Sequence, residues 1–270
     1  CIRDRPMLLA VVLVFALPES LRFLILKKAS VQRVHGIADR IFPGRFPADQ
    51  QFVSPQEAVK GVPVKHLFTD GRAVGTFLLW VPYFMNLLII YFIISWMPAV
   101  LRQSGMPISA GIEAATAFSF GGAIGCLVTG KLIQHLGTRT VTLVEFVCTI
   151  LLIALLSIYS HDYWPVMMIA GVLGFTVQGA QAALNALVAG FYPTAIRSTG
   201  IGWALGIGRV GSIIGPLLGG FLLSMQWSAS AIFLATIVPA LVAAAAVAVM
   251  IARHRGSPEE AGDPSTVIAH

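Results

Sequence analysis

Six apolar stretches, separated from one another by no more than about ten residues, dominate this 270-residue sequence. A membrane span needs about 20 mostly apolar residues, and we place the six near residues 73–98, 109–130, 140–160, 164–191, 198–224 and 228–252. With no water in the hydrocarbon to satisfy backbone groups, such a stretch must close its own hydrogen bonds as a helix. Connections this short make consecutive helices antiparallel neighbours. The expected fold class is therefore an all-α membrane protein. Composition agrees, since only 11% of the residues are charged, against about 25% in a soluble domain.

The flanks complete the layout. Pro6–Leu17 is too short to span alone and reads as the end of a helix whose beginning is missing, with residues 1–26 assigned to it. A chain that opens on Cys1 is expected to be a fragment. Residues 27–71 form a long polar loop, within which Ala29–Ile41 has an apolar face of Val31, Val34, Ile37, Ala38 and Ile41. Ser54-Pro55-Gln56-Glu57 has the form of a capping box that opens a second short helix. Residues 72–252 are the bundle, and 253–270, rich in Gly, Pro and Glu, a disordered tail.

The formal charge of +6 is a topology signal once its residues are placed. The loop and its edges carry Arg22, Lys27, Lys28, Arg33, Arg40, Arg45, Lys60, Lys65 and Arg72. Counting spans puts Lys131, Arg139, Arg197, Arg253 and Arg255 on that same side. The other side receives only Arg102, plus Arg3 and Arg5 if the first segment spans. Lysine and arginine concentrate on the cytoplasmic side, so the loop and C-terminus are expected there. Cys1, Cys126 and Cys148 share no metal or redox spacing, and no hydrolase or phosphate-binding motif occurs. An enzyme, a metal or a cofactor is not expected.

Polar residues inside the spans carry the functional reading. Arg209 sits near the middle of its helix, where an ionised side chain costs about 2.5 to 3.5 kcal/mol on insertion scales. At 100° per residue it shares a face with Gly202, Gly206, Ile213, Pro216 and Gly220, which suits a cavity wall. Ala204, Gly208, Gly211, Gly215 and Gly219 form a second face, fitted to close helix packing. Arg209 either faces a ligand or gate, or pairs with an acid in a part of the protein not present. Gly171, Gly174, Gln178, Gln181, Asn185 and Tyr192 line one stripe of the span at 164–191, either a hydrogen-bonded helix seam or a cavity lining. Asn86 lies near mid-depth of the first span, with Tyr91 and Ser95 one turn apart beyond it, while Tyr83 and Trp96 read as aromatic anchors. Asn86, Gln178 and Arg209 thus fall at similar depth on three helices, the convergence a transporter site requires. Glu113 and Glu145 lie inside opposite ends of their spans. Both are either interfacial carboxylates with their heads in water or, for Glu145, a latch within reach of Arg197 or Arg139.

Several stretches are more specific. GAQAALNALVAGFYPTAIRSTGIGWALGIGRVGSIIGPLLGG at 179–220, FMNLLIIYFIISWMP at 84–98 and LPESLRFL at 17–24 make the chain resemble the major facilitator superfamily. Within it, the chain is similar to the aromatic acid:proton symporters that import benzoate-type compounds into bacteria. The resemblance covers nearly the whole chain and implies the C-terminal half of such a transporter. On that reading residues 1–26 end helix six, and the spans are the six-helix bundle of helices seven to twelve. It also implies alternating access, an inner-membrane location and a missing N-terminal six-helix half. The paired arginines that the family uses in transport fall here on Arg197 and Arg209. The family's Gly-x-Leu-x-Asp-Arg-x-Gly-x-Arg loop reads GKLIQHLGTR at 130–139, so Gln134 and His135 replace the Asp-Arg pair while Gly130, Gly137 and Arg139 remain.

The combined expectation is a carboxylate held at Arg209, with Asn86, Gln178, Gln181 and Asn185 offering hydrogen bonds and Tyr91 or Trp96 stacking on the ring. Arg197, Glu145, Gly130 and Arg139 would form the cytoplasmic gate. The alternatives are a superfamily member for sugars, aliphatic acids or drug efflux, and a non-transporting membrane fragment.

Overall fold

The computed structural model describes residues 64–254 apart from residue 194, together with Gly36. All but Gly36 belong to one compact unit, Val62–His270. The expected end of helix six, the short helices at 29–41 and from Ser54, and the tail beyond 254 lie outside the described residues.

A single 3-10 turn, Lys65–Leu67, leads into seven helices: α1 Ala73–Gln103, α2 Ile108–Leu136, α3 Thr138–Ile158, α4 Tyr163–Phe191, α5 Arg197–Ser224, α6 Ala229–Ala235 and α7 Ile237–His254. The first five are each long and apolar enough to cross a membrane, and α6 with α7 supplies a sixth such span, Ala229–Arg253. No strand occurs among the described residues. The fold class is thus all-α. The split in the last span has a local cause. Pro239 lacks the N–H that would bond back to Ala235, and its ring crowds that carbonyl. The chain breaks at Thr236, whose hydroxyl donates to Phe233 O at 2.6 Å.

Three helix ends depart from expectation, one of them that of α2, which runs to Leu136, six residues beyond the expected 130. α1 passes Pro98 and continues to Gln103, five residues beyond the expected end at 98. It stops at Gly105, whose φ of 89° reverses the chain. α7 likewise runs through His254, into the segment expected to be tail. Between α2 and α3 a single residue suffices. Gly137, at φ 79°, closes one helix and opens the next, so the tight turn expected of GKLIQHLGTR is present.

Membrane helices gain nothing from hydrophobic burial against each other in lipid, so they associate through close packing of small residues. That is how this bundle is built. α5 lays its Gly208, Gly211, Gly215 and Gly219 face on α1. A Cβ at Gly215 would lie 2.6 Å from Leu88 O, and one at Gly211 would strike Phe84 O. α2 and α4 close in the same way, with Gly125 against Phe175 O and Gly174 against Phe118 O. The bundle is unevenly covered. In their most apolar windows 56% of α1 and 50% of α4 is buried, but only 33% of α2 and 22% of α5. The helices with tight seams on one side are bare on the other.

Candidate substrate site

Asn86 is fully buried on α1, facing α4. Its Nδ2 donates to Val177 O at 3.2 Å and to Gln181 Oε1 at 3.0 Å. Gln181 Nε2 in turn donates to Asn185 Oδ1 at 3.5 Å. That same oxygen accepts from the hydroxyl of Tyr83, which is fully buried beside Asn86. These four side chains make one ladder across the α1–α4 seam, ending on the exposed Asn185. Asn86 Oδ1 is buried and has no partner among the described residues, which leaves an acceptor for a further donor.

Arg209 lies beyond the ladder toward the end of the bundle that carries Glu113. It is exposed, and its Nη1 donates to Tyr91 OH at 3.1 Å, across from α5 to α1. Among the described residues it forms no ion pair. The face it shares is open as well. A Cβ at Gly202 or Gly206 would meet nothing within 4 Å, and Ile213 is 63% exposed. The opposite face is the buried glycine seam. α5 therefore presents a cation, oriented by a tyrosine hydroxyl, to space that the described residues do not fill. Guanidinium offers a planar fork of donors matched to a carboxylate.

Gln178 does not join Asn86. Its amide packs on Gly122 of α2, where any Cβ would collide with it, and its backbone oxygen accepts from Cys126 Sγ at 3.4 Å. At 100° per residue Gln178 and Gln181 stand about 60° apart on α4, enough for one to meet α2 and the other α1. Gly174 and Gln178 face α2, while Gln181 and Asn185 face α1. Trp96 is likewise committed. Its indole N–H donates to Pro216 O at 2.8 Å and its ring fills the notch at Gly219, so it locks α1 to α5 and is not free to stack on a ligand. Tyr83, which suits an aromatic anchor by its sequence, is instead a member of the ladder. Its spacing three residues before Asn86 was the available signal.

At the basic end the expected gate pair is not formed. Glu145 is 4% exposed and accepts from Thr129 Oγ1 at 2.5 Å, with no arginine in contact. Arg197 instead donates through Nε to Tyr192 O at 3.3 Å, holding the α4–α5 corner. The carboxylate faces inward, between α2 and α4, rather than toward the helix ends where the arginines are. Arg139 lines a cavity of about 610 Å³ with Arg72, Thr138, Phe191 and Met250. Gly130 faces open space. At the other end Glu113 accepts from the Tyr163 hydroxyl. No metal-holding group of His, Cys, Asp or Glu occurs among the described residues.

Six membrane-length helices around a mid-depth polar ladder define a multi-pass membrane protein. The family model of the Major Facilitator Superfamily matches residues 6–177 and 79–267, and the chain belongs to that superfamily. It is 36% identical over 243 residues to a gallate transporter of Pseudomonas putida, covering 90% of this chain and 54% of that protein. It is 34% identical over 252 residues to a 4-hydroxybenzoate transporter of Acinetobacter baylyi, covering 91% and 54%. A benzoate transport protein of the same organism matches at 34% over 257 residues, covering 94% and 55%. The chain thus spans about half the length of these curated relatives.

Proposed function

We propose that this chain forms one half of a proton-coupled importer of aromatic carboxylates in the bacterial inner membrane. The observation that carries the reading is Arg209: exposed on an open helix face, oriented by Tyr91, and without an anionic partner among the described residues. A substrate carboxylate supplies that partner. The exposed end of the ladder, at Asn185 and Gln181, then lies within the same cavity to hydrogen-bond ring substituents, with the Tyr83 and Asn86 side chains holding it in place. Gln178 contributes by fixing α4 against α2.

The bare faces of α2 and α5 turn toward a second six-helix half, leaving Arg209 and the α1–α4 ladder to line the cavity between halves. Transport is then the rocking of one bundle against the other about the substrate. The concentration of Lys131, Arg139, Arg197 and Arg253 at one end favours that end as cytoplasmic. There Arg197 and Arg139, with the open space beside Gly130, would serve the gate. The names of the relatives support aromatic acids as the substrate class.

The test is uptake of labelled 4-hydroxybenzoate by the intact transporter. Arg209→Ala should cut uptake by about 10- to 100-fold, as expected for a lost charge-assisted bond of ~1.5 to 3 kcal/mol. Uptake at the unaltered rate would end the proposal.

A further inference from the structure

Asp70, Glu113, Glu145 and Asp162 are the carboxylates among the described residues, and only Glu145 is buried. Its Oε1 is held by the Thr129 hydroxyl of α2 at 2.5 Å, and its Oε2 is buried without a partner among the described residues. Gly179 of α4 closes the site from the third side, since a Cβ there would lie 2.5 Å from Oε1 and 2.6 Å from Thr129 Oγ1. Every helix packed around it withholds a cation. α2 brings Thr129 and Cys126, while its Lys131 and His135 are exposed nearer the basic end. α4 carries no ionisable side chain except Tyr163 at its far end. On α3 itself Arg139 is six residues away, about 9 Å along the axis, and Cys148 lies on the next turn. α7, which also packs on α3, has its only basic groups at its terminus.

An ionised carboxylate with one hydroxyl for company is far costlier in a low-dielectric interior than a neutral carboxyl with one unmet bond. We propose that Glu145 is a proton-binding site of this half-bundle, occupied at neutral pH in the conformation described here. The water that receives the proton lies at the basic end. Glu145 and Thr129 each lie seven residues from that end of their helices, about 10 Å. Parting of α2, α3 and α4 there would wet the carboxyl and release the proton. Only the use of the proton rests on the transport reading above; the site itself does not.

Infrared spectroscopy of the full chain in lipid nanodiscs at pH 7 tests the site. A carboxylic C=O stretch above the amide band, sensitive to deuterium exchange, should be present and should vanish in E145Q. Thr129→Val should shift that band without removing it. Absence of a band lost in E145Q, or a band indifferent to Thr129→Val, overturns the proposal. If E145Q does not fold, the Thr129→Val comparison decides by itself. In the intact transporter, E145Q should keep substrate counterflow while losing proton-driven accumulation several-fold. Equal loss of both, or of neither, overturns the coupling role. If the unaltered protein carries no aromatic acid, the transport reading fails while the infrared result still stands or falls alone.

Discussion

Arg209 and Glu145 are both ionisable side chains inside membrane helices, yet the bundle treats them in opposite ways. The arginine stands on a face stripped of bulk, with one hydroxyl to aim it and open space before it. The glutamate is walled in by three helices, with one hydroxyl and a glycine pressed against its oxygens. An arginine keeps its proton in any environment, so its counter-charge must come from elsewhere and its site must stay open. A carboxyl can shed its charge by taking a proton, so its site can be sealed. The contrast assigns each residue the kind of partner its surroundings can admit.

The largest expected effect falls on the open side. Arg209→Ala should weaken aromatic acid binding to the intact transporter by about 10- to 100-fold while leaving thermal stability nearly unchanged, because among the described residues its side chain makes only the exposed bond to Tyr91. A large drop in melting temperature would show that the arginine is structural and collapse the distinction. Next, Gly179→Leu forces α4 away from Glu145 and should destabilise the bundle by roughly 2 kcal/mol, in the range of overpacked cores. Unfolding in mixed micelles measures it, and an unaffected variant would mean the site is not sealed. Asn86→Ala cuts the ladder at its buried end and leaves Gln181 without its donor, at about 1 to 2 kcal/mol. Hydrogen exchange of α1 and α4 should rise at that depth and not at Arg209. The smallest effect is the sharpest. E145Q should change stability by less than about 0.5 kcal/mol, since an amide replaces a neutral carboxyl of the same shape. A loss of several kcal/mol would betray an ionised, partnered glutamate instead.

The helices were legible from hydropathy alone, because lipid leaves the backbone no other choice. The glycine face of α5 was legible too, since a four-residue repeat of small side chains admits few uses. What periodicity does not say is which neighbour a face meets. Gln178 and Gln181 belong to one stripe in sequence but to two seams in space, and Glu145 turned inward although two arginines lay within nominal reach. Tyr83 was hidden by its chemistry, since a tyrosine suits an aromatic anchor as well as a buried hydrogen-bond donor. Arg209 gave the clearest warning, because its cost demanded a reason wherever it pointed.

The single glycine between α2 and α3 bears on how the molecule is made. A connection of one residue leaves no slack for the two helices to enter a bilayer separately, so they must be delivered as one hairpin. Lys131 and Arg139 flank its bend, and in the proposed orientation they hold the closed end on the side of synthesis. Thr129 and Glu145 lie on the two arms of that hairpin, so their bond can join them as soon as the pair is inserted, before α4 arrives to cover it.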